Sequence, residues 1–401
     1  MPPLPLPPLL LLLLLLTFLS ATRLVEGRFG VAIDIDGVLK QWKKACVEGR
    51  ILVSGLQKFN VPFILFTNGG GGRTEAGYAR EMTKMLRGDV FDCAPRSEGR
   101  EKFSASDYPI EEIMAHQMVL SYSPFGELEH LKMKNVLIVG TPSVKDAAKA
   151  MGFKNAISIT EYARRHPRMD PYATVHMSKA GTGCNSLLCE NLEICNALEF
   201  TAQEEEEKEE EETWDPIDAI FVMSEPGHFA QALQICTDVL LSPQPGLAEI
   251  SEVQTPIFFS NPDFLWRGEF PNNRFGTGAF IMALRLVYKE RLLSLGFEPN
   301  EADSRIDSAW HVYGKPNLPQ YEYAKRRLQN ISASPLHSVW MVGDNHETDI
   351  LGASRASWNS VLVKTGVWRG KAQHSATAVQ DSAADALTYI LRAEAHEKFD
   401  L

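Results

Sequence analysis

Short apolar runs alternate with amphipathic stretches along most of this chain. Residues 29–33, 61–66 and 338–342 read as buried strands, each bounded by glycine, proline or acidic residues. The same pattern recurs at 136–140, 156–159, 217–223, 255–260 and 360–364. Between these runs, 73–86, 143–151, 228–241, 279–293 and 320–329 carry the spacing of helices, and a closing helix is predicted from Thr377 onward. Strands that alternate with helices imply an α/β fold around parallel sheets. No repeat of the solenoid kind is visible.

The polar residues that follow these runs change the picture. Asp34 and Asp36 stand where the first strand should end, and side chains two apart on a strand share a face. Thr67 and Asn68 end the second strand and lead into four glycines, a loop whose amides can face phosphate. It is not a Walker loop, because Gly-Lys-Ser/Thr is missing. Lys315 follows 311–314, and Asp344 and Asp349 follow 338–342. In parallel sheets ligands sit beyond the carboxyl ends of the strands, so these groups are placed for common chemistry. Each stretch alone also reads as an ordinary turn or cap. Together, four carboxylates in one crevice would repel one another without a cation. An all-oxygen set with room for water suits Mg²⁺, and no histidine or cysteine ligand is called for, which argues against zinc.

Length and charge narrow the classes. The 401 residues suffice for two domains, and a net charge of −11 argues against a nucleic-acid partner. Much of that charge is the glutamate run 204–212, which reads as a solvated loop. The apolar stretch that begins with the leucine run 9–16 is too short to span a bilayer, so residues 1–26 read as a targeting segment and no stable membrane span is expected in the mature chain. Cys46, Cys93, Cys184, Cys189, Cys195 and Cys236 form no Cys-x-x-Cys pair, and read as free thiols in a reducing compartment or as small buried residues.

The set DxDG (34–37), TN (67–68), GKP (314–316) and GDNxxTD (343–349) resembles the haloacid dehalogenase (HAD) superfamily of phosphatases. The long insert between TN and GKP is similar to the type IIA branch. TNGGG, SYSPFGEL and SNPD resemble more narrowly the haloacid dehalogenase-like hydrolase domain-containing 5 group, also called the cat eye syndrome critical region protein 5 group. The resemblance, over about residues 27–370, implies a Rossmann-like parallel-sheet core in two parts, 27–88 and 301–401. An α/β cap at 89–300 would be inserted between them.

The resemblance further implies a Mg²⁺-dependent phosphatase for a small phosphorylated substrate. Asp34 would be the nucleophile and Asp36 the acid and base. Thr67, Asn68 and Lys315 would hold phosphate. Asp34, the carbonyl of Asp36 and Asp344 would hold the metal, with Asp349 behind them. A link to glycerophospholipid metabolism and a homodimer through the cap are compatible with it. One departure is Gly69, where the family often has a second asparagine. A binding or scaffolding protein of the same fold with weak catalysis is the alternative function. A receiver-type phosphoacceptor domain fails on size. The resemblance points to mitochondria, whereas the leucine run looks like a secretory signal.

Overall fold

The computed structural model describes residues 29–94, 104–169, 216–245, 250–266, 270, 272–368, 370 and 373–396. The leucine run, the glutamate run and the cysteines 184–195 lie outside the described residues. In chain order the strands are β1 (Phe29–Ile33), β2 (Lys40–Gln41), β3 (Lys44–Cys46), β4 (Phe63–Phe66), β5 (Val90–Phe91), β6 (Met118–Val119), β7 (Asn135–Val139) and β8 (Asn155–Ser158). They continue with β9 (Ala219–Val222), β10 (Ile257–Phe259), β11 (Leu265–Trp266), β12 (Arg274–Phe275), β13 (Trp310–Val312), β14 (Ser338–Gly343), β15 (Asn359–Val363) and β16 (Ala378–Gln380).

Two parallel sheets organise the chain. One has the order β16-β15-β14-β1-β4-β6 and the other β13-β10-β9-β7-β8. β1 lies between β14 and β4 with every residue buried, as expected of a strand covered on both faces. Helices cover the faces. Glu75–Arg87, for example, starts where the Thr74 hydroxyl accepts from the Gly77 amide, has Glu75 in its first turn, and ends with Lys84 and Arg87. Both ends therefore complement the helix dipole. Its Tyr78, Ala79, Met82 and Leu86 are buried, each large one stabilising the fold by about 1.5–3 kcal/mol. The sheets meet through aromatics. Phe125, from the SYSPFGEL stretch, packs 4.9 Å from Phe221 of β9 and 5.3 Å from Tyr313 just after β13.

The expected α/β architecture is observed, but its boundaries move. Met118–Val119, placed by sequence inside the insert 89–300, pairs with β4 in the six-stranded sheet. Trp310–Val312, placed in the second core part, pairs with β10 in the five-stranded sheet. The five-stranded sheet therefore draws on 135–312. A two-residue edge strand carries too little pattern to be read beforehand. Likewise, the segment after Thr377 opens with β16, and its helix starts only at Ala383.

The cysteine reading needs correction. Cys46 and Cys93 form a disulfide with their Cα atoms 5.4 Å apart. They lie 47 residues apart and meet because β3 pairs with β5, which no local spacing reveals. Cys236 is free and buried, as a small core residue would be. Among the described residues no helix is long and apolar enough to cross a membrane.

Candidate active site

Three strand ends converge. Asp34 follows β1, Thr67 follows the neighbouring β4, and Asp344 follows β14 on the other side of β1. The amide of Asp34 donates to the Val342 carbonyl at 2.9 Å, which fixes the two acidic loops against each other. Asp349 joins them from a π-helical turn, His346–Ile350, started by the Asn345 side chain accepting from the Glu347 amide. The Asn345 amide in turn donates to the Asp349 carboxylate at 3.1 Å. Oxygens of Asp34, Asp344 and Asp349 lie within 4.8 Å of one another, and all three residues are buried.

Glycines allow this crowding. A Cβ on Gly37, Gly343 or Gly366 would collide with the side chain of Asp344 or Asp349. Gly37 also has φ +87°, a conformation that only glycine adopts without cost. The Val367 amide donates to Asp344 at 2.6 Å from the same loop as Gly366.

Lys315 answers the negative charge. Its ammonium donates to Asp34 at 2.6 Å and to the Phe66 carbonyl at 3.0 Å, and pairs with the Asp349 carboxylate at 2.6 Å. Burial disfavours that charge, but the two carboxylates outweigh burial and raise the Lys315 pKa above its ordinary value. Asp34 and Asp344 are both pushed above the usual carboxylate range, chiefly by burial. For Asp34 the Lys315 charge opposes the shift, and for Asp344 the neighbouring Asp349 adds to it. One ammonium among three buried carboxylates leaves the cluster short of positive charge.

The structure brings together Asp34, Thr67, Lys315, Asp344 and Asp349, and sets two expected residues apart. Asp36 is exposed and its carboxylate pairs with Lys40, so it lies outside the cluster. β1 ends at Ile33, so the strand geometry that would have kept both aspartates on one face stops before either of them. Asn68, expected to reach phosphate, is engaged elsewhere. Its amide donates to Asp263 at 3.0 Å and to the Lys315 carbonyl at 2.9 Å, while its oxygen accepts from the Lys315 amide at 2.6 Å. Asp349, expected behind the metal ligands, has its carboxylate within the cluster itself. Lys315 follows β13 of the five-stranded sheet rather than a strand of the sheet that carries the acids.

Asp263 was not among the expected site residues. The only signal for it was SNPD at a strand end. Burial raises its pKa, against the Asn68 hydrogen bond.

The HAD-hydrolase-like family model matches residues 312–389, which include Lys315, Asp344 and Asp349. The Saccharomyces cerevisiae protein named "Mitochondrial hydrolase YKR070W" is 28% identical over 369 residues, covering 85% of this chain and 88% of its own. A Schizosaccharomyces pombe protein, "Cardiolipin synthase (CMP-forming) / mitochondrial hydrolase fusion protein", is 29% identical over 372 residues, covering 89% of this chain and 52% of its own. Among solved structures, hypothetical protein PH1952 from Pyrococcus horikoshii OT3 aligns with a TM-score of 0.56 at 18% identity, over 90% of this chain and 99% of that one. Glycerol phosphate phosphatase Rv1692 from Mycobacterium tuberculosis in complex with magnesium aligns at 0.51 and 16% identity, over 91% of this chain and 77% of that one. With acids at adjacent strand ends, a lysine between them and these relatives, the chain is similar to the HAD-like hydrolases, whose family model it matches over 312–389, and is an enzyme.

Proposed function

We propose that this enzyme is a Mg²⁺-dependent phosphatase that works through an aspartyl-phosphate on Asp34. The observation that carries the reading is the charge balance of the cluster: three buried carboxylates, one ammonium, and oxygen donors only. That donor set fits Mg²⁺. Asp34, Asp344 and Asp349 would hold the ion, joined by the Asp36 carbonyl that the family resemblance adds, and when bound it supplies charge neutralisation for phosphoryl oxygens.

The chain's own residues do the rest. A carboxylate oxygen of Asp34 attacks phosphorus, and the bond to the leaving oxygen breaks. Asp36 leaves Lys40, takes a proton from solvent and gives it to the leaving oxygen; the carboxylate that remains then takes a proton from the water that attacks the intermediate's phosphorus, which frees phosphate and restores Asp34. The Thr67 hydroxyl already accepts from the Gly69 amide at 2.9 Å, which leaves its own proton for a phosphoryl oxygen. Lys315 holds Asp34 in place, and Asn68 acts through the Lys315 backbone rather than on phosphate.

The substrate reading is a phosphate monoester of a small metabolite. Support for a tie to glycerophospholipids comes from the relative whose name joins such a hydrolase to a cardiolipin synthase. A mitochondrial setting is supported by the names of both relatives, and the secretory alternative finds no support in them. The Cys46–Cys93 disulfide means that these two cysteines give no support to a reducing compartment.

The test is phosphate release from an aryl phosphate and a panel of phosphate monoesters. Turnover that requires Mg²⁺ and stops with EDTA is expected. Folded, Mg²⁺-binding protein without turnover on any compound would sink the reading in favour of a binding protein.

A second expectation follows from burial of the acids. Carboxyls raised above their unfolded values favour the protonated form in the fold, so the metal-free protein loses stability as pH rises from about 4 through their folded pKa values. Mg²⁺ binds the ionised form. The rise in Tm on adding Mg²⁺ should therefore be larger near pH 8 than near pH 5.5. An equal rise at both would contradict the placement of the ion among these acids.

A further inference from the structure

The loop that follows β10 leaves the five-stranded sheet and closes on the chain around Lys315. Gly314 packs against it so tightly that a Cβ there would lie 2.7 Å from Asn261 and 2.8 Å from the Ser260 carbonyl, and its φ of +76° is itself a glycine conformation. The Asn261 side-chain amide donates to the Asn68 backbone carbonyl at 3.3 Å. Asp263 completes the grip, its carboxylate accepting from the Asn68 side-chain amide at 3.0 Å. The loop is itself held in place. The Asp263 amide donates to the Asn261 side chain at 3.1 Å, and the Asp263 carbonyl accepts at 2.8 Å from Gly278, in the first turn of the helix Thr277–Ser294.

Asn68 passes this hold on to Lys315. Its side-chain nitrogen also donates to the Lys315 carbonyl at 2.9 Å, and its oxygen accepts from the Lys315 amide at 2.6 Å. Turned over, the amide would set two donors together at the Lys315 N–H and two acceptors together at Asp263. A carboxylate can only accept, so Asp263 and the Lys315 backbone enforce one orientation of Asn68. From that backbone the Lys315 ammonium reaches Asp34 at 2.6 Å. Lys315 is buried, which leaves its side chain little freedom to absorb a displacement of the backbone that carries it.

We propose that Asp263 is a positioning residue of the reaction: it holds Asn68, and through Asn68 the backbone of Lys315, so that the ammonium meets Asp34 in the geometry phosphoryl transfer needs. Its own carboxylate lies outside the acid cluster and acts only through these partners. The choice of an acid at this place supports the assignment. Burial works against the Asp263 charge, and the Asn68 hydrogen bond favours it. A residue that served packing alone would be apolar and free of that cost, whereas a charged acceptor makes the stronger hydrogen bond to an amide. The kinetic side of the proposal rests on the phosphatase reading; the hydrogen-bonded chain from Asp263 to Lys315 does not.

The experiment compares Asp263→Leu and Asp263→Asn with wild type, in aryl phosphate kinetics and in hydrogen exchange at the Lys315 backbone amide. Leucine removes the acceptor. Asparagine keeps one, and the volume, but can present either end of its amide to Asn68. In the leucine variant kcat should fall by about tenfold or more with KM within about twofold, because a misplaced group costs turnover rather than binding. Its Lys315 amide should exchange about tenfold faster, while the amides of β1 keep their wild-type protection. The asparagine variant should lie between the two on both measures. Wild-type kcat in the leucine variant overturns the proposal, as does a raised KM at unchanged kcat, which would make Asp263 a group that meets substrate. If the leucine variant does not fold, the asparagine variant decides, and wild-type kcat together with wild-type exchange at Lys315 overturns the proposal. Faster Lys315 exchange in the variants of a protein that releases phosphate from no ester would uphold the hold on Lys315 and sink only the phosphatase reading.

Discussion

Replacing Asp34 with asparagine is expected to abolish phosphate release while leaving the fold as stable as before, or more so. The two effects separate because they draw on different properties of one carboxylate. Asparagine keeps the size and can still accept from Lys315, but its amide is no nucleophile. A loss of about 10⁴-fold or more in kcat is expected, each factor of ten corresponding to about 1.4 kcal/mol of barrier. In the metal-free protein the substitution also removes one of three crowded negative charges, and Lys315 keeps Asp349 and the Phe66 carbonyl. Thermal unfolding without Mg²⁺ should therefore give a Tm no lower than wild type. An active Asp34→Asn protein, or one that loses activity only because it unfolds, would remove Asp34 as the nucleophile.

Lys315→Met should show the opposite combination, with stability and activity falling together. Methionine nearly preserves the volume, so the change isolates the charge. It leaves Asp34, Asp344 and Asp349 buried with no cation in contact. Removing one partner of a buried ion pair costs about 3–5 kcal/mol, and here two carboxylates lose the same partner. Activity should drop by about 10²–10³-fold, the usual loss for one preorganised charge at a reacting group. Added Mg²⁺ should restore much of the Tm and little of the turnover, since the ion can offset the charge but cannot replace the link from Lys315 to Asp34. Denaturation curves with and without Mg²⁺ check the first part and aryl phosphate kinetics the second. Unchanged stability would mean that the acids are protonated or hydrated well enough to manage without the lysine.

Asp34 and Asp344 could be placed from sequence because each ends an apolar run, and a buried parallel strand leaves few places for the acid that follows it. Lys315 was recognisable from GKP, but not the sheet it follows, since β13 is three residues long. The contacts of Asn68 were out of reach for a different reason. Its partners Asp263 and Lys315 are 195 and 247 residues away, and only the folded chain supplies them. The disulfide and β6 were hidden for the same cause: both depend on pairings made across the sheets rather than on anything nearby in sequence. Asp349 entered the cluster through a π-helical turn, whose extra residue per turn leaves no mark in apolar periodicity.

The division between the two sheets has a consequence for how such an enzyme can change over time. Every acid of the cluster lies outside 135–312, the span that builds the five-stranded sheet. Replacements within that span can reshape what the enzyme meets without rewriting the groups that break the bond. Lys315 is the exception in its setting, because it lies where the chain returns from one sheet to the other and touches acids of the first. Selection on chemistry should therefore grip that junction as tightly as the acids, while the span that builds the five-stranded sheet, Asp263 apart, is freer to drift.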